Sequence, residues 1–262
     1  MPDLSSWEAQ LAALPGRAGV YWKNLVTGEE FCHGADEAYT AASVIKLPVL
    51  CAVARQVQQG RADWSERLVC AKKERVPPCG ALWYFDGEPE VSLRTLCALM
   101  VVISDNTATN LLLRRFGLEG LNDDFRALGL ARTHLERLLF DEEAARAGKQ
   151  NAFTPREMGQ LLERIRREAQ QGQVWAQFCL ELLFEQQINH KIPGYLPEGA
   201  RVAHKTGEGA GITHDVGLVD APQPFVLCFA YCGPDVPAAE RWVREASLRA
   251  WQLCGGTVER ML

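Results

Sequence analysis

The feature that most constrains this chain is a change of hydrophobic period. From Ser43 onward the pattern is helical for about 150 residues, and strand-like patterning brackets that block on both sides. Upstream, Val20-Tyr-Trp-Lys-Asn-Leu25 and Glu30-Phe-Cys-His33 flank Val26-Thr-Gly-Glu29, a β-hairpin signature with Gly28 in the turn. Downstream, Arg201–Lys205, Thr213–Val219 and Phe225–Cys232 read as three more strands. The two ends can therefore pair into one antiparallel sheet, and the helical block becomes an insertion. The expected fold class is α/β in the broad sense (α+β): an antiparallel sheet flanked by terminal helices, plus an inserted all-helical lobe. The lobes are expected at residues 1–34 with 199–262, and at residues 35–198, with the active site between them.

Punctuation places the helices. Ser5-Ser-Trp-Glu8 is a capping box that opens a first helix running to Leu14, before Pro15-Gly16. Helical segments are expected at 43–59, 92–103, 107–116, 155–169, 173–187 and 238–253. Thr154-Pro-Arg-Glu157 is a second capping box, with Pro155 at the first helical position.

Composition excludes several classes. A net charge of −5 argues against nucleic acid, which needs a basic patch. No apolar run reaches the roughly 18 residues of a membrane span, so no membrane partner is expected. Met1-Pro-Asp-Leu-Ser-Ser-Trp has neither a basic start nor an apolar stretch, so a cytoplasmic location is expected. An exported protein whose leader lies outside this sequence is the alternative. The nine cysteines are odd in number, lack a C-x-x-C pair and sit partly in apolar runs, as at Cys97 and Cys228, so they read as reduced thiols. The five histidines, at 33, 134, 190, 204 and 214, show no ligand spacing. No metal and no cofactor are expected, and the partner is a small-molecule substrate.

Three short motifs carry chemistry: Ser43-Val-Ile-Lys46, Ser104-Asp105-Asn106 and Lys205-Thr206-Gly207. Ser43 sits at a helix entrance, near unpaired backbone N–H groups and the positive end of the helix dipole. A serine hydroxyl needs an activating base. Lys46, three residues on, lies on the same helix face and can take its proton. The plain alternative is a helix cap beside a solvated lysine. Pro48 removes the helical partner of the Val44 carbonyl and is expected to bend the helix. Ser104-Asp105-Asn106 separates two helices. It is suited to relaying a proton through Ser104 and binding a substrate amide through Asn106, or to capping the second helix. Lys205 and Thr206 offer a cation and a hydroxyl to a substrate carboxylate. Gly207 lets a strand edge approach a ligand. The backbone N–H groups of Ser43 and Glu208 can form an oxyanion hole.

Together the three motifs resemble those of the class A β-lactamases and their penicillin-binding peptidase relatives. Tyr39-Thr-Ala-Ala-Ser43 running to Lys46-Leu-Pro, Ser104-Asp-Asn-Thr-Ala-Thr-Asn-Leu-Leu, the Thr154-Pro helix start, and Leu196-Pro-Glu-Gly ahead of Val-Ala-His-Lys205 extend the resemblance over about residues 16–255. It implies a β-lactamase-like two-lobe fold. By it Ser43 is the nucleophile, Lys46 its base and Ser104 the proton shuttle, while Asn106, Lys205 and Thr206 bind substrate.

The resemblance also shows departures. The family's loop before the Thr-Pro helix carries a glutamate that activates the deacylating water. Here the loop reads Leu135-Glu-Arg-Leu-Leu139, and Leu139 falls on that position. Asp141, Glu142 or Glu143 would substitute only if the loop were shifted. Asn151 stands where the family places an aspartate that pairs with the loop arginine, here Arg137, which implies a slacker loop. His214 falls near a place where an arginine often meets the substrate carboxylate, so it binds that group when protonated or else packs. Trp83-Tyr84-Phe85 either lines the substrate wall, through Trp83, or covers the helical lobe. Cys97 matches a disulfide position of some members, but Cys51 is one residue from its partner's place, a rotation of about 100° on a helix. The reading is a serine hydrolase acylated at Ser43 by β-lactams or related amides, with slow deacylation. A D-alanyl peptidase, an intracellular esterase or amidase, and a non-turnover penicillin-binding or sensing module are the alternatives.

Overall fold

The computed structural model describes residues 4–257. The chain divides into two compact units, one of residues 1–44, 153–164 and 188–262, the other of residues 45–152 and 165–187. The first unit holds a five-stranded antiparallel sheet: β1 (Arg17–Asn24), β2 (Glu30–His33), β3 (Val202–Gly209), β4 (Ile212–Val219) and β5 (Phe225–Cys232), in the order β2-β1-β5-β4-β3. The pairing of β1 with β5, from Arg17 opposite Cys232 to Asn24 opposite Phe225, joins the two ends of the chain. That pairing is what makes the helical block an insertion.

Helices Ser5–Ala13 and Val236–Leu253 cover one face of the sheet through a core of Trp7, Leu11, Trp22, Phe229, Trp242 and Val243. Trp7 meets Trp22 edge-on at 6.4 Å and Trp242 at 5.6 Å, and Phe229 stacks on Trp242 at 5.3 Å. Such pairs contribute about 0.5–1.5 kcal/mol each beyond their buried area. The first helix begins at Ser5 with Leu4 in the cap position, one residue earlier than the capping box requires. On the opposite face, Gly159 of helix Pro155–Gln170 makes room for Tyr21, because a Cβ there would fall 2.2 Å from its ring. Thr154 caps this helix as expected, its hydroxyl accepting from the Glu157 N–H at 3.2 Å.

The second unit is built round helix Lys46–Gln58, whose residues 46–54 are all buried. A helix apolar on every side belongs in a core, and helices Leu93–Val102, Leu118–Ala127 and Val174–Phe184 pack round it. The unit is not all-helical: Arg67–Val69 pairs with Glu90–Ser92 in a short antiparallel ladder. Pro48 does not bend the helix as expected. The α-helix begins only at Lys46, after a 3₁₀ turn at Ala42–Ile45, so Pro48 occupies the first turn, where its missing N–H has no partner to lose. All nine cysteines are free thiols, with Cys51, Cys70, Cys97, Cys179, Cys228 and Cys254 buried. Among the described residues no helix is long and apolar enough to cross a membrane.

Candidate active site

The first unit positions Ser43 and the Lys205-Thr206-Gly207 strand together. Ser43 lies in the 3₁₀ turn, preceded by Ala42 in the left-handed region at φ 44°. A non-glycine residue held there is strained, and such strain concentrates at functional sites. Gly207 on β3 lies against this turn. A Cβ on it would meet Val44 Cγ2 at 3.1 Å, His214 Cδ2 at 3.2 Å and the Ala41 carbonyl at 3.3 Å. Glycine therefore lets the strand carrying Lys205, Thr206 and Glu208 lie against the residues flanking Ser43. Lys205 and Thr206 are buried, and Lys205 Nζ donates to the Thr206 carbonyl at 3.0 Å.

His214 on β4 does not face a ligand as a cation. Its Nε2 is 2.9 Å from the Thr40 carbonyl, and its Nδ1 accepts the Tyr231 N–H at 3.1 Å. Accepting at Nδ1 and donating at Nε2 describes a neutral ring. Burial pushes its pKa down to about 4. Phe153 packs edge-on to it at 5.1 Å. Its geometry supports the packing alternative.

The second unit gathers the other motif residues round Lys46. This lysine is fully buried at the start of its helix, and its Nζ donates to Ser104 Oγ at 3.0 Å, the Ser104 carbonyl at 2.8 Å and Asn106 Oδ1 at 2.9 Å. Ser104 is itself held at φ 58°. Asp105 is the scaffold between them. It caps helix Asn106–Phe116 by accepting from Ala108 N at 2.8 Å, and its other oxygen accepts from Ala81 N at 2.7 Å and Leu82 N at 2.9 Å. One carboxylate thus fixes both the Ser104–Asn106 turn and the loop leading to Trp83. Trp83, Tyr84 and Phe85 are 42, 76 and 48% exposed, which leaves Trp83 free to present its ring to solvent.

The loop at 135–151 belongs to the same unit, and three asparagines anchor it, Asn122 by donating to the Leu135 carbonyl and accepting the Leu135 N–H, each at 2.8 Å. The Asn110 amide donates to the Leu139 carbonyl at 3.0 Å and accepts the Leu139 N–H at 2.9 Å. Asn106 and Asn110 are one turn apart on one helix, a rise of about 6 Å. The first touches Lys46 and the second grips Leu139. Asn151 accepts from Glu136 N at 2.8 Å and Arg137 N at 3.1 Å and donates to the Arg137 carbonyl at 3.0 Å. Where the resemblance implies a lost ion pair, the Asn151 amide clamps the backbone directly. Arg137 bonds the Lys149 and Leu138 carbonyls and Gln150 instead. Asp141 caps helix Glu142–Arg146 through Ala144 N at 2.9 Å, and Glu142 and Glu143 are exposed.

Sequence reasoning missed a buried polar group behind β3. Lys191 is fully buried, and its Nζ donates to Glu208 Oε1 at 3.0 Å, the His214 carbonyl at 3.2 Å and the Gly207 carbonyl at 3.5 Å. His204 bridges Asp215 Oδ1 and Asn189 Oδ1, each at 2.9 Å, and Asp215 Oδ2 accepts the Ile192 N–H at 3.0 Å. Burial would raise the Asp215 pKa, but the His204 partner, followed by Lys191 and the Ile192 N–H, holds it below the ordinary value. Lys191 follows no motif spacing. In sequence it stands between the polar pair Asn189-His190 and Ile192-Pro-Gly194, with nothing to mark it as buried.

The model of the Beta-lactamase enzyme family matches residues 5–254. A beta-lactamase of Streptomyces lavendulae is 29% identical over 233 residues, covering 85% of this chain and 76% of that protein. The crystal structure of a beta-lactamase from Sphaerobacter thermophilus matches at TM-score 0.87 and 30% identity, covering 97% of this chain and 98% of that one. A leucine-to-glutamate mutant of PBP-A, in an acyl-enzyme complex with penicillin G, matches at TM-score 0.84 and 29% identity, covering 95% of this chain and 96% of that one.

Proposed function

Because this chain belongs to the beta-lactamase enzyme family and is a serine hydrolase of the class A type, we propose that it is acylated on Ser43 by β-lactams or related amides and clears the acyl group slowly. Ser43 Oγ attacks the carbonyl carbon while its proton passes to Lys46, which acts as base in its neutral amine form. The carbonyl oxygen becomes an oxyanion, held by the backbone N–H groups of Ser43 and Glu208. As the C–N bond breaks, the leaving nitrogen takes a proton through Ser104, which Lys46 resupplies. Asn106 and Trp83 position the acyl side, and Lys205 and Thr206 the carboxylate side.

The observation that carries this reading is the bonding of Lys46 to both Ser104 Oγ and Asn106 Oδ1, three residues along a continuous helical segment from Ser43. The two sets of residues are thus joined through the chain itself. Slow clearance is supported by Leu139. Asn110, one helical turn from Asn106, holds its backbone, and its side chain cannot accept a proton. Asp141 is engaged as a helix cap. A water attacking the acyl ester there lacks a general base, which is worth about 100- to 10,000-fold. The same observation favours a second reading, a D-alanyl peptidase or a sensing module that stays acylated.

Intact-mass spectrometry after mixing with penicillin G and with a simple thioester tests the proposal. The adduct should map to the peptide containing Ser43 and vanish in Ser43→Ala. An adduct that survives this substitution would overturn the assignment.

A further inference from the structure

Among the described residues, three that are not glycine hold a positive φ: Ala42 at 44°, Ser104 at 58° and Phe140 at 59°. Such strain concentrates at functional sites. The first precedes Ser43, and the second is the candidate proton shuttle. The third, Phe140, takes no part in the acylation chemistry. Its turn is closed by the Asp141 N–H, which donates to the Leu138 carbonyl at 3.4 Å, so Leu139 and Phe140 are the central pair. A positive φ at the second of the pair alone is the type II pattern, which calls for glycine or asparagine there. Phenylalanine holds the place although its ring gains little from the fold, the residue being 56% exposed. A lone exposed ring is ordinary. This one stands on a strained backbone between two pinned neighbours: Asn110 grips Leu139, and Asp141 caps the helix that follows.

Placement points to what the ring is for. Asp105 accepts the Leu82 N–H at 2.9 Å, and the next residue is Trp83. Asn110 holds Leu139, and the next residue is Phe140. Two half-exposed aromatics are thus delivered by grips from one helix, at Asp105 and Asn110, about 7.5 Å apart along its axis. Asn106, whose Oδ1 meets Lys46 Nζ at 2.9 Å, lies between the two grips.

We propose that Phe140 is a specificity-determining residue: with Trp83 it seats an apolar substituent of the acyl group, so the site takes acyl donors bearing an aryl or bulky aliphatic side chain in preference to unsubstituted ones. This rests on the reading of Ser43 as the acylated residue and of Asn106 as the group that meets the acyl amide. The ring leaves water when the substituent packs on it. Because both neighbours are pinned, little of the loop has to be ordered first. The strained φ is the cost of presenting a ring where the turn itself favours glycine.

Penicillin G and 6-acetamidopenicillanic acid differ by one phenyl ring on the acyl group. Rates of adduct formation with each, read by intact mass, test the proposal in the unmodified protein, Phe140→Gly and Phe140→Asn. Both replacements accept the positive φ, and asparagine controls for the extra freedom of glycine. In both variants the ratio of the penicillin G rate to the acetamido rate should fall about tenfold, the scale of leaving roughly 50 Å² of apolar surface in water. Tm should hold steady, because the ring supports a ligand and not the fold. A ratio that stays within about twofold of the unmodified protein in either variant, with adducts on Ser43, would overturn the role of the ring while leaving Ser43 intact. A fall in Tm of more than about 4 °C in both variants would make the ring a structural support and overturn the proposal too. Adducts absent with both probes in all three proteins would instead overturn the acylation reading, and this proposal with it.

Discussion

Replacing Leu139 by glutamate should convert a slow deacylation into a fast one. The amide bonds that hold this loop run to backbone groups: two from Asn110 to Leu139, two from Asn122 to Leu135, and three from Asn151 to Glu136 and Arg137. Changing the side chain at 139 leaves all of them in place, so the new carboxylate should project from an unaltered loop. Leu139 is partly exposed, which spares the carboxylate full desolvation. A positioned general base contributes about 100- to 10,000-fold, which is about 2.7–5.4 kcal/mol off the deacylation barrier. Acylation, which on the proposed mechanism uses Lys46 and Ser104, should change by less than about threefold. Single-turnover kinetics with penicillin G separates the two steps, with intact mass reporting the acylated fraction. Leu139→Gln is the control, because it has the same size and no base. The gain should appear above about pH 4–5, where a glutamate ionises, and vanish below it. Rapid clearance by the unmodified protein would refute the reasoning, as would equal rates for the Glu and Gln variants.

Other outcomes follow from the same geometry. Lys46→Ala should slow acylation about 100-fold or more, measured as the rate of adduct formation. An unchanged rate would mean that another base acts. Asp105→Ala strips three backbone N–H groups of their acceptor. It should destabilise the protein by about 3 kcal/mol, seen calorimetrically as a fall in Tm of roughly 6–12 °C. A fall under about 2 °C would show that water replaces the carboxylate. His214 has its pKa lowered to about 4 by burial, so the unfolded chain binds its proton more tightly. Stability contributed by the neutral ring is present above about pH 6.5 and is lost as pH falls toward 4. The ring should titrate near 4 by NMR, and His214→Gln should flatten the loss of stability between those values. Titration near 6.5 would contradict the buried, neutral ring.

How much was legible in the sequence varies with how local each feature is. Strands Glu30–His33 and Phe225–Cys232 have the bounds read from the sequence, the first alternating between exposed and half-buried residues and the second an apolar run buried along nearly its whole length. Asp105 as helix cap and Thr154 before Pro155 are local chemistry of the same kind. The three motifs fix residue types and spacing, and Ser43 with Lys46 needs only helical geometry to be related. Other features depend on residues far apart in the chain. Helix Leu118–Ala127 is not among the segments expected from the sequence, yet it forms with Leu121 and Phe125 buried one turn apart in the helical core. Strand β3 runs on through Gly207 and Gly209 because β4 supplies a ladder out to Ile212, where the sequence suggests a turn. The clamps from Asn110 and Asn151, the neutrality of His214, and the Lys191–Glu208 pair were likewise decided only in three dimensions. Burial and opposing partners set them. An amide reads alike in sequence whether it faces solvent or closes on a peptide group 29 residues away. The sequence by itself determined which groups can do chemistry, while the tertiary structure decided which are charged, which are held, and which face one another.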